Sequence, residues 1–486
     1  MGSPWDQEDL LSKLSSDVLV SILEKLHLGE AMRAGVLSRR WRSLPHQLPR
    51  LALGVNDFVK PGEEYNYYED EGCDMLPDFT FDTLARASEA MFDAIWALLR
   101  SRADETPVCT LAVSFLLRGN YMSIGHLLDD AMASGEARAI EMTISTNYTR
   151  ADINDMKHII NVKLAYGRRF RMLFDAYPAA FGGLTRLTMK NMRLLRHDIH
   201  DILATCTRIE MLSLEKCDAG PRSQVPWRVR HARLAELSIT YCIFTSIDLD
   251  WLPSLKRFTY RSWICTAHPI LMMMSFGHVP QLNTVTLSND QMIGQPILKF
   301  SQALANTAVA DLRLNFRGQD VWVEPEGPKR FIDIFCNLKH IKIRNLHQEC
   351  GLSWITFLLQ ASPFLKELHI KLWDHKCGMV HKKNAVYFAT KKTNVPWEAA
   401  VNFKHYGLTR VTILGLYNTG EEVIAYIRCL AEAAINLEEI RMRKNTPCKE
   451  CGIAGTGFPR TVQERESLRH KISGGEPVSF KLCIQS

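Results

Sequence analysis

The chain has 486 residues, is 46% hydrophobic and 23% charged, and carries a formal net charge of +6. That length holds a small module plus one large domain, or two to four ordinary domains, with enough apolar residues for a substantial core. So small a net charge excludes a chain that coats nucleic acid, and 13 cysteines scattered inside apolar runs such as Met211–Cys217 indicate reduced, buried thiols of the nucleus or cytoplasm rather than a disulfide scaffold.

The opening Met1-Gly-Ser-Pro-Trp-Asp is acidic and has no apolar h-region, so no signal peptide is expected. The greasiest stretch, Ile270–Met274, is far shorter than a membrane span. Asn147-Tyr-Thr149 matches a glycosylation sequon, which carries no weight in a chain that is not secreted.

Residues 10–44 hold two short amphipathic helix patterns. In the first, Leu14, Val18, Leu19, Ile22, Leu23 and Leu26 recur at helical spacing, with Ser15 or Ser16 as N-cap and Asp17 at the positive end of the dipole. Gly29 interrupts the chain. The second pattern places Met32, Val36, Leu37, Trp41 and Leu44 on one broad face beside Arg39, Arg40 and Arg42, and Pro45 and Pro49 stop it. A module of about 35 residues cannot bury enough surface to stand alone. Its apolar faces need either the following domain or another protein, and periodicity alone favours an ordinary helical hairpin capping that domain.

The residue string itself resembles an F-box of the plant form. Leu14-Ser-Ser-Asp-Val-Leu-Val-Ser-Ile-Leu-Glu-Lys-Leu26 is similar to its opening, and Val36-Leu-Ser-Arg-Arg-Trp-Arg42 matches its Val-Leu-Ser-(Lys/Arg)-Arg-Trp-Arg block at every position. Two positions depart: Ser15 stands where proline is usual, and Pro45 where tryptophan often follows Arg-Ser-Leu. The resemblance implies that Leu14, Leu19, Ile22, Leu23, Leu26, Val36, Leu37 and Trp41 form the internal and adaptor-facing apolar surface. The adaptor would be a Skp-type protein, itself held by a cullin scaffold.

The frame L-x-x-L-x-L follows with variations. Leu48, Leu51 and Leu53 give a first copy. Later copies start at 184, 209, 234, 255, 282, 309, 338 and 365, which are 21 to 29 residues apart, and further ones at 408 and 437. That is the leucine-rich period. Each copy makes one short strand whose inner residues are buried only by stacking on neighbouring copies. The expected class is therefore α/β: a short helical module at 8–50, then a curved solenoid with a parallel concave sheet and a helical convex side. Helices are expected at His197–Thr205 and Phe331–Asn337. Cys217 and Cys242 fall where the repeat fills the turn after its strand, a structural place for a thiol.

Residues 51–183 are less regular. Gly62–Asp78, with Tyr65, Tyr67 and Tyr68, reads as an acidic loop and Phe81–Arg100 as an amphipathic helix. Leu111–Phe115 and Ile140–Ile144 alternate like strands of degenerate repeats. Within the main array, 184–394, a basic insertion near 373–394 holds Lys382-Lys383 and Lys391-Lys392. Residues 395–445 look like the FBD region that closes many plant F-box/leucine-rich-repeat proteins, and 446–486 reads as a tail with a helix over Arg460–Lys471.

Motifs of catalysis are missing: the sequence has no G-x-S-x-G, Walker A or H-E-x-x-H string. Cys448-x-x-Cys451 has no second pair at zinc spacing, and His375, Cys377 and His381, or His197 and His200, are surface or core histidines and thiols by default. Gly452–Gly457 reads as a loop. No cofactor or metal is expected. On the strand face opposite the inner leucines, the early copies are neutral (Ser213, Ser238, Thr240, Thr286, Ser288), whereas the late copies carry Arg313, Lys342, Arg344, His369, Lys371, Arg441 and Arg443. These form a candidate basic patch for an acidic or phosphorylated segment, set against an ordinary solvated strand face. The resemblance thus implies a non-catalytic receptor that binds adaptor and target and neither nucleic acid nor membrane. The alternatives are a repeat protein with a vestigial F-box and an enzyme that uses the repeats as a sensor.

Overall fold

In this computed structural model the frame L-x-x-L-x-L becomes a short strand wherever it falls on described residues. Those are 11–60, 81–102, 107–146, 156–195, 197–219, 227–244, 246–261, 273–289, 298–331, 333–373, 395, 397–398, 402–416, 420–448, 452–453, 455, 457–475 and 477–485. Period-2 alternation is the cause: inner residues such as Leu312 and Leu314 are sequestered from solvent while their neighbours face the other way. The chain divides into two compact units, Met1–Tyr67 with Met75–Leu212, and Ser213–Ser486 with Tyr68–Asp74.

The first unit begins with three short helices, α1 (Ser16–Leu23), α2 (Leu28–Ala34) and α3 (Arg39–Ser43). The second amphipathic pattern is thus two helices and not one broad face. The turn at Gly35–Ser38 separates them, and Ser38 Oγ caps α3 by accepting the Trp41 amide at 3.3 Å. Gly35 permits the tight passage, since a Cβ there would lie 3.3 Å from Arg42 Cα and 3.1 Å from Met32 O. Strands β1 (Arg50–Gly54), β2 (Thr110–Leu116), β3 (Ile140–Ser145) and β4 (Leu184–Lys190) then pair in parallel, each with the next. Helices α4 (Phe81–Arg100), α5 (Tyr121–Ala133), α6 (Met156–Ala176) and α7 (Pro178–Gly182) connect them, and α8 (Asp198–Thr205) follows. Residues 110–145 therefore behave as true repeats. Helices α5 and α6 were not anticipated.

Strand β5 (Met211–Glu215) lies across the division. In the second unit the inner-face strands are β7 (Glu236–Thr240), β9 (Arg257–Arg261), β11 (Thr284–Ser288), β12 (Asp311–Asn315), β13 (His340–His347), β14 (Glu367–Trp373), β15 (Arg410–Leu414), β16 (Glu439–Arg443) and β17 (Lys481–Gln485). Each pairs in parallel with the next. Helices α9 (Phe300–Ala303), α10 (Ile355–Ala361), α11 (Glu421–Ala433) and α12 (Val462–Ser473) fill the return segments.

Two expectations about the return side change, and one about the tail. Around residues 227–278 it is a parallel three-stranded sheet of β6 (Trp227–Arg230), β8 (Ser246–Trp251) and β10 (Met273–His278), not helices. Ser246-Ile-Asp-Leu-Asp alternates with period 2, buries Ile247 and Leu249 completely, and pairs Asp248 with Arg228 at 3.1 Å. Gly277 lets the strands approach, because a Cβ there would lie 2.3 Å from Asp250 O. Phe331–Asn337 is not a helix either: a 3-10 turn at Pro328–Phe331 is followed by turns that bury Phe331, Ile334 and Phe335. Last, the tail adds a strand: β17 extends the parallel sheet beyond the FBD-like segment.

Two turn devices recur. Asn191, Lys216, Tyr241 and Asn345 adopt positive φ, and the residue after each, Met192, Cys217, Cys242 or Leu346, turns into the core. Cys242 Sγ reaches Leu214 O at 3.5 Å, so this thiol bridges neighbouring repeats as expected of its position. In addition, His231 and His405 each accept the amides two and three residues on through Nδ1, at 3.0–3.2 Å, pinning the turn that leads into the next strand.

Among the described residues no helix is long and apolar enough to cross a membrane. Nor, among them, does any group of three His, Cys, Asp or Glu converge as metal ligands. Gly62–Asp78, Asn147-Tyr-Thr149, the insertion from 374 to 394 with His375, Cys377 and His381, and Cys451 lie outside the described residues.

Candidate functional site

The structure separates the apolar residues of the first 50 positions into two sets. Leu19 and Leu23, four apart on α1, are fully buried, and Trp41, Leu44 and Leu48 of the segment that follows are buried as well. Leu14 is half-buried, and its carbonyl accepts Arg40 Nη2 at 2.5 Å, tying the start of the module to α3. Val18 and Ile22 occupy the adjacent stripe of α1 and are exposed, as are Leu26, Met32 and Leu11. Val36 and Leu37, in the turn between α2 and α3, are 86% and 70% exposed.

Of the eight residues singled out from sequence, Leu19, Leu23 and Trp41 are therefore internal supports, while Ile22, Leu26, Val36 and Leu37 present apolar surface. Leu11, Val18 and Met32 join the exposed set. Val18 and Met32 were visible as parts of the helical patterns; Leu11 precedes them and gave no periodic signal.

In the same unit a cavity of about 360 Å³ is lined by Ala52, Ala112, Ser114, Thr143, Arg50, Glu141, His27 and Asp57, among others. Its charges are internally satisfied: Arg50 pairs with Glu141 at 2.7 Å and His27 with Asp57 at 3.2 Å.

The seven residues expected to form a basic face lie on β12, β13, β14 and β16 of the second unit, and the register aligns them in rows. One row runs Thr286, Arg313, Lys342, His369, Thr412 and Arg441 across successive strands. Two of its cations are already held by carboxylates of their own strands. Arg313 pairs with Asp311 at 2.5 Å and Arg441 with Glu439 at 2.8 Å. The hydrogen bond raises the Arg313 pKa, and Arg441 holds the Glu439 carboxyl below its usual range. Arg443 Nε donates to Gln485 Oε1 at 2.9 Å.

The remaining four, Lys342, Arg344, His369 and Lys371, sit together on β13 and β14. Among the described residues no carboxylate lies within ion-pair distance of Lys342, Arg344 or Lys371. Partial burial, then the charges of Arg344, Lys342 and Lys371, lower the His369 pKa, so its imidazole is neutral at pH 7. The seven-residue face thus resolves into two compensated arginines, one amide-bonded arginine and one uncompensated cluster.

Comparison with known proteins matches two parts of the chain. Residues 11–52 match the F-box domain model, and residues 151–301 match the model described as FBD-associated F-box protein At5g56370, LRR repeats. A putative F-box protein of Arabidopsis thaliana, At3g58860, is 22% identical over 387 residues, covering 77% of this chain and 78% of its own length. The putative F-box/FBD/LRR-repeat protein At5g22610 of the same plant is 22% identical over 58% of this chain and 51% of its own length. At5g18770, an F-box/FBD/LRR-repeat protein also of that plant, is 41% identical over 59 residues, 12% of each chain. The chain combines an F-box with FBD-associated leucine-rich repeats, the make-up of the plant F-box/FBD/LRR-repeat proteins.

Proposed function

We propose that the chain is the non-catalytic substrate receptor of a Skp-cullin-F-box ubiquitin ligase, working in the nucleus or cytoplasm. It binds the adaptor through residues 11–48 and a target protein through the repeats. The observation that carries this reading is the set of exposed apolar residues, Val18, Ile22, Leu26, Met32, Val36 and Leu37, mounted on the buried supports Leu19, Leu23 and Trp41. Large apolar residues clustered on the outside of a short helical module mark a surface that another protein covers. Function follows by proximity: the receptor raises the local concentration of its target beside a ubiquitin-charged enzyme, and none of its own residues touches the reacting atoms.

The test is co-purification of the full chain with a Skp-type adaptor. Changing Val36 and Leu37 together to Glu is expected to abolish retention while leaving the melting temperature unchanged, because both side chains face solvent. Undiminished retention by that variant would remove the assignment. Failure of the unmodified chain to retain any adaptor would favour a repeat protein with no ligase role.

A further inference from the structure

We propose that Lys342, Arg344, His369 and Lys371 form the seat for a phosphorylated segment of the target, an inference that rests on the receptor reading above. Lys342 and His369 are opposite one another on adjacent parallel strands, which places their Cα atoms about 4.8 Å apart. Arg344 and Lys371 lie two residues further along, on the same face and about 7 Å away. Four side chains with hydrogen-bond donors thus rise from one small patch of the sheet face, just ahead of the register shift between Ile343 and Leu346. The Thr412 hydroxyl borders it, paired in register with His369.

Charge accounting favours a phosphoryl over a carboxylate. Elsewhere on this face three arginines are each answered by one carboxylate, Asp311 with Arg313, Glu439 with Arg441 and Glu367 with Arg410. Against Lys342, Arg344 and Lys371, a single carboxylate would leave most of the charge unanswered. A phosphoryl group brings a charge near −2 and three strong acceptor oxygens, enough for the cations and an imidazole N–H. His369 fits this role because partial burial and then its cationic neighbours disfavour its charged form while the seat is empty, and a bound dianion would favour its protonation. The cluster is also local: the chain's net charge is only +6, and of the flanking positions Asn315, Thr412 and Leu414 are uncharged while Arg313 is already paired with Asp311, whereas a nucleic-acid strand needs a basic track along its backbone.

The experiment uses the full chain immobilised in about 0.15 M salt, where exposed charges are screened beyond roughly 8 Å. Three degenerate peptide libraries are passed over it, identical except for a fixed central phosphoserine, Glu or Ser, together with a single-stranded RNA 20-mer. The expected result is at least tenfold greater retention of the phosphoserine library than of the other two. That preference should be lost in Lys342→Glu/Lys371→Glu and kept in Arg257→Gln, whose arginine pairs with Glu236 on the same unit. The neutral variant Lys342→Gln/Lys371→Gln is expected to lose at least fivefold and stands in if the reversal does not fold. Equal retention of the phosphoserine and Ser libraries, equal retention of phosphoserine and Glu, a preference unmoved by the variants, or RNA binding without phosphoserine preference would each overturn the proposal. Adaptor retention is measured on the same proteins. It should be unchanged by the β13/β14 variants. In the unmodified chain, absence of phosphoserine preference with intact adaptor binding fails this inference alone, and absent adaptor binding with intact preference fails the receptor reading alone.

Discussion

In the F-box segment, leucine-like residues at helical spacing end largely outside, whereas in the repeats leucine-like residues at period 2 end inside. Ile22 of α1 is 37% exposed while Leu368 of β14 is 1% exposed. Both sit in regular, strongly apolar patterns. The difference lies in what can cover them. A strand in a stack is flanked by two neighbours and roofed by its return segment, so each inner residue finds cover within its own chain. The three short helices of the F-box segment have too few neighbours, and the second stripe of α1 stays exposed.

The comparison can be broken most forcefully inside the repeats. Leu368→Ala should cost about 2–5 kcal/mol, measured as a fall in chemical-denaturation midpoint, whereas Ile22→Ala, the same kind of truncation on the exposed stripe, should cost under ~0.5 kcal/mol. Comparable losses at the two positions would show that the F-box stripe is covered by the chain itself. The next effect is at the turn histidine. His405 is 3% exposed, accepts two amides through Nδ1 and donates from Nε2 to Ser362 O at 2.9 Å. Replacing it with Ala leaves those groups unpaired, at about 1–3 kcal/mol.

His405 also gives the repeats a pH dependence that the F-box supports, being apolar, do not share. Burial lowers its pKa from the ordinary 6.5, against the partial support of Ser362 O. The unfolded chain therefore binds the proton more readily than the folded one. Its share of stability is complete above pH 6.5 and declines as the pH falls toward the depressed folded value. Denaturation midpoints between pH 7.5 and 5 should slope less in His405→Ala than in the parent. The smallest effect belongs to the rim: Asp311→Asn, which releases Arg313 from a part-exposed pair, should change stability by under about 1 kcal/mol. A larger loss would make that pair a structural element and not a neutral flank of the cation cluster.

Much of this was legible in the sequence, for identifiable reasons. Residues such as Leu212, Leu314 and Ile370 could be placed because a strand face repeats every second residue and a repeat about every 25, so many weak signals add. Val36–Arg42 was legible as a string rather than as a helix: the turn at Gly35–Ser38 hides inside a pattern that also reads as one helical face. The sheet of β6, β8 and β10 escaped notice because its strands fall outside the L-x-x-L-x-L frame, and Trp227-Arg-Val-Arg carries one fully buried residue, Val229. Strand β17 was missed since Leu482 and Ile484 offer only two apolar positions. On the basic face the row of cations was readable from strand alternation. Which cations were already answered was not, because the answering carboxylates, Asp311 and Glu439, are also their own strand neighbours and look in sequence like ordinary polar flanks.

The buried thiols of the repeats have a use beyond filling space. Cys206, Cys217, Cys242 and Cys350 are sealed in the core at different points along the array, while Cys109 and Cys429 lie open to solvent. Burial pushes the Cys206 thiol up to about 12, leaving almost no thiolate to react at neutral pH. An alkylating reagent will therefore modify Cys109 and Cys429 at once and reach each sealed thiol only when its own stretch of chain opens. The order in which those four become labelled is a built-in clock, separating a chain that frays from one end from a chain that opens all at once.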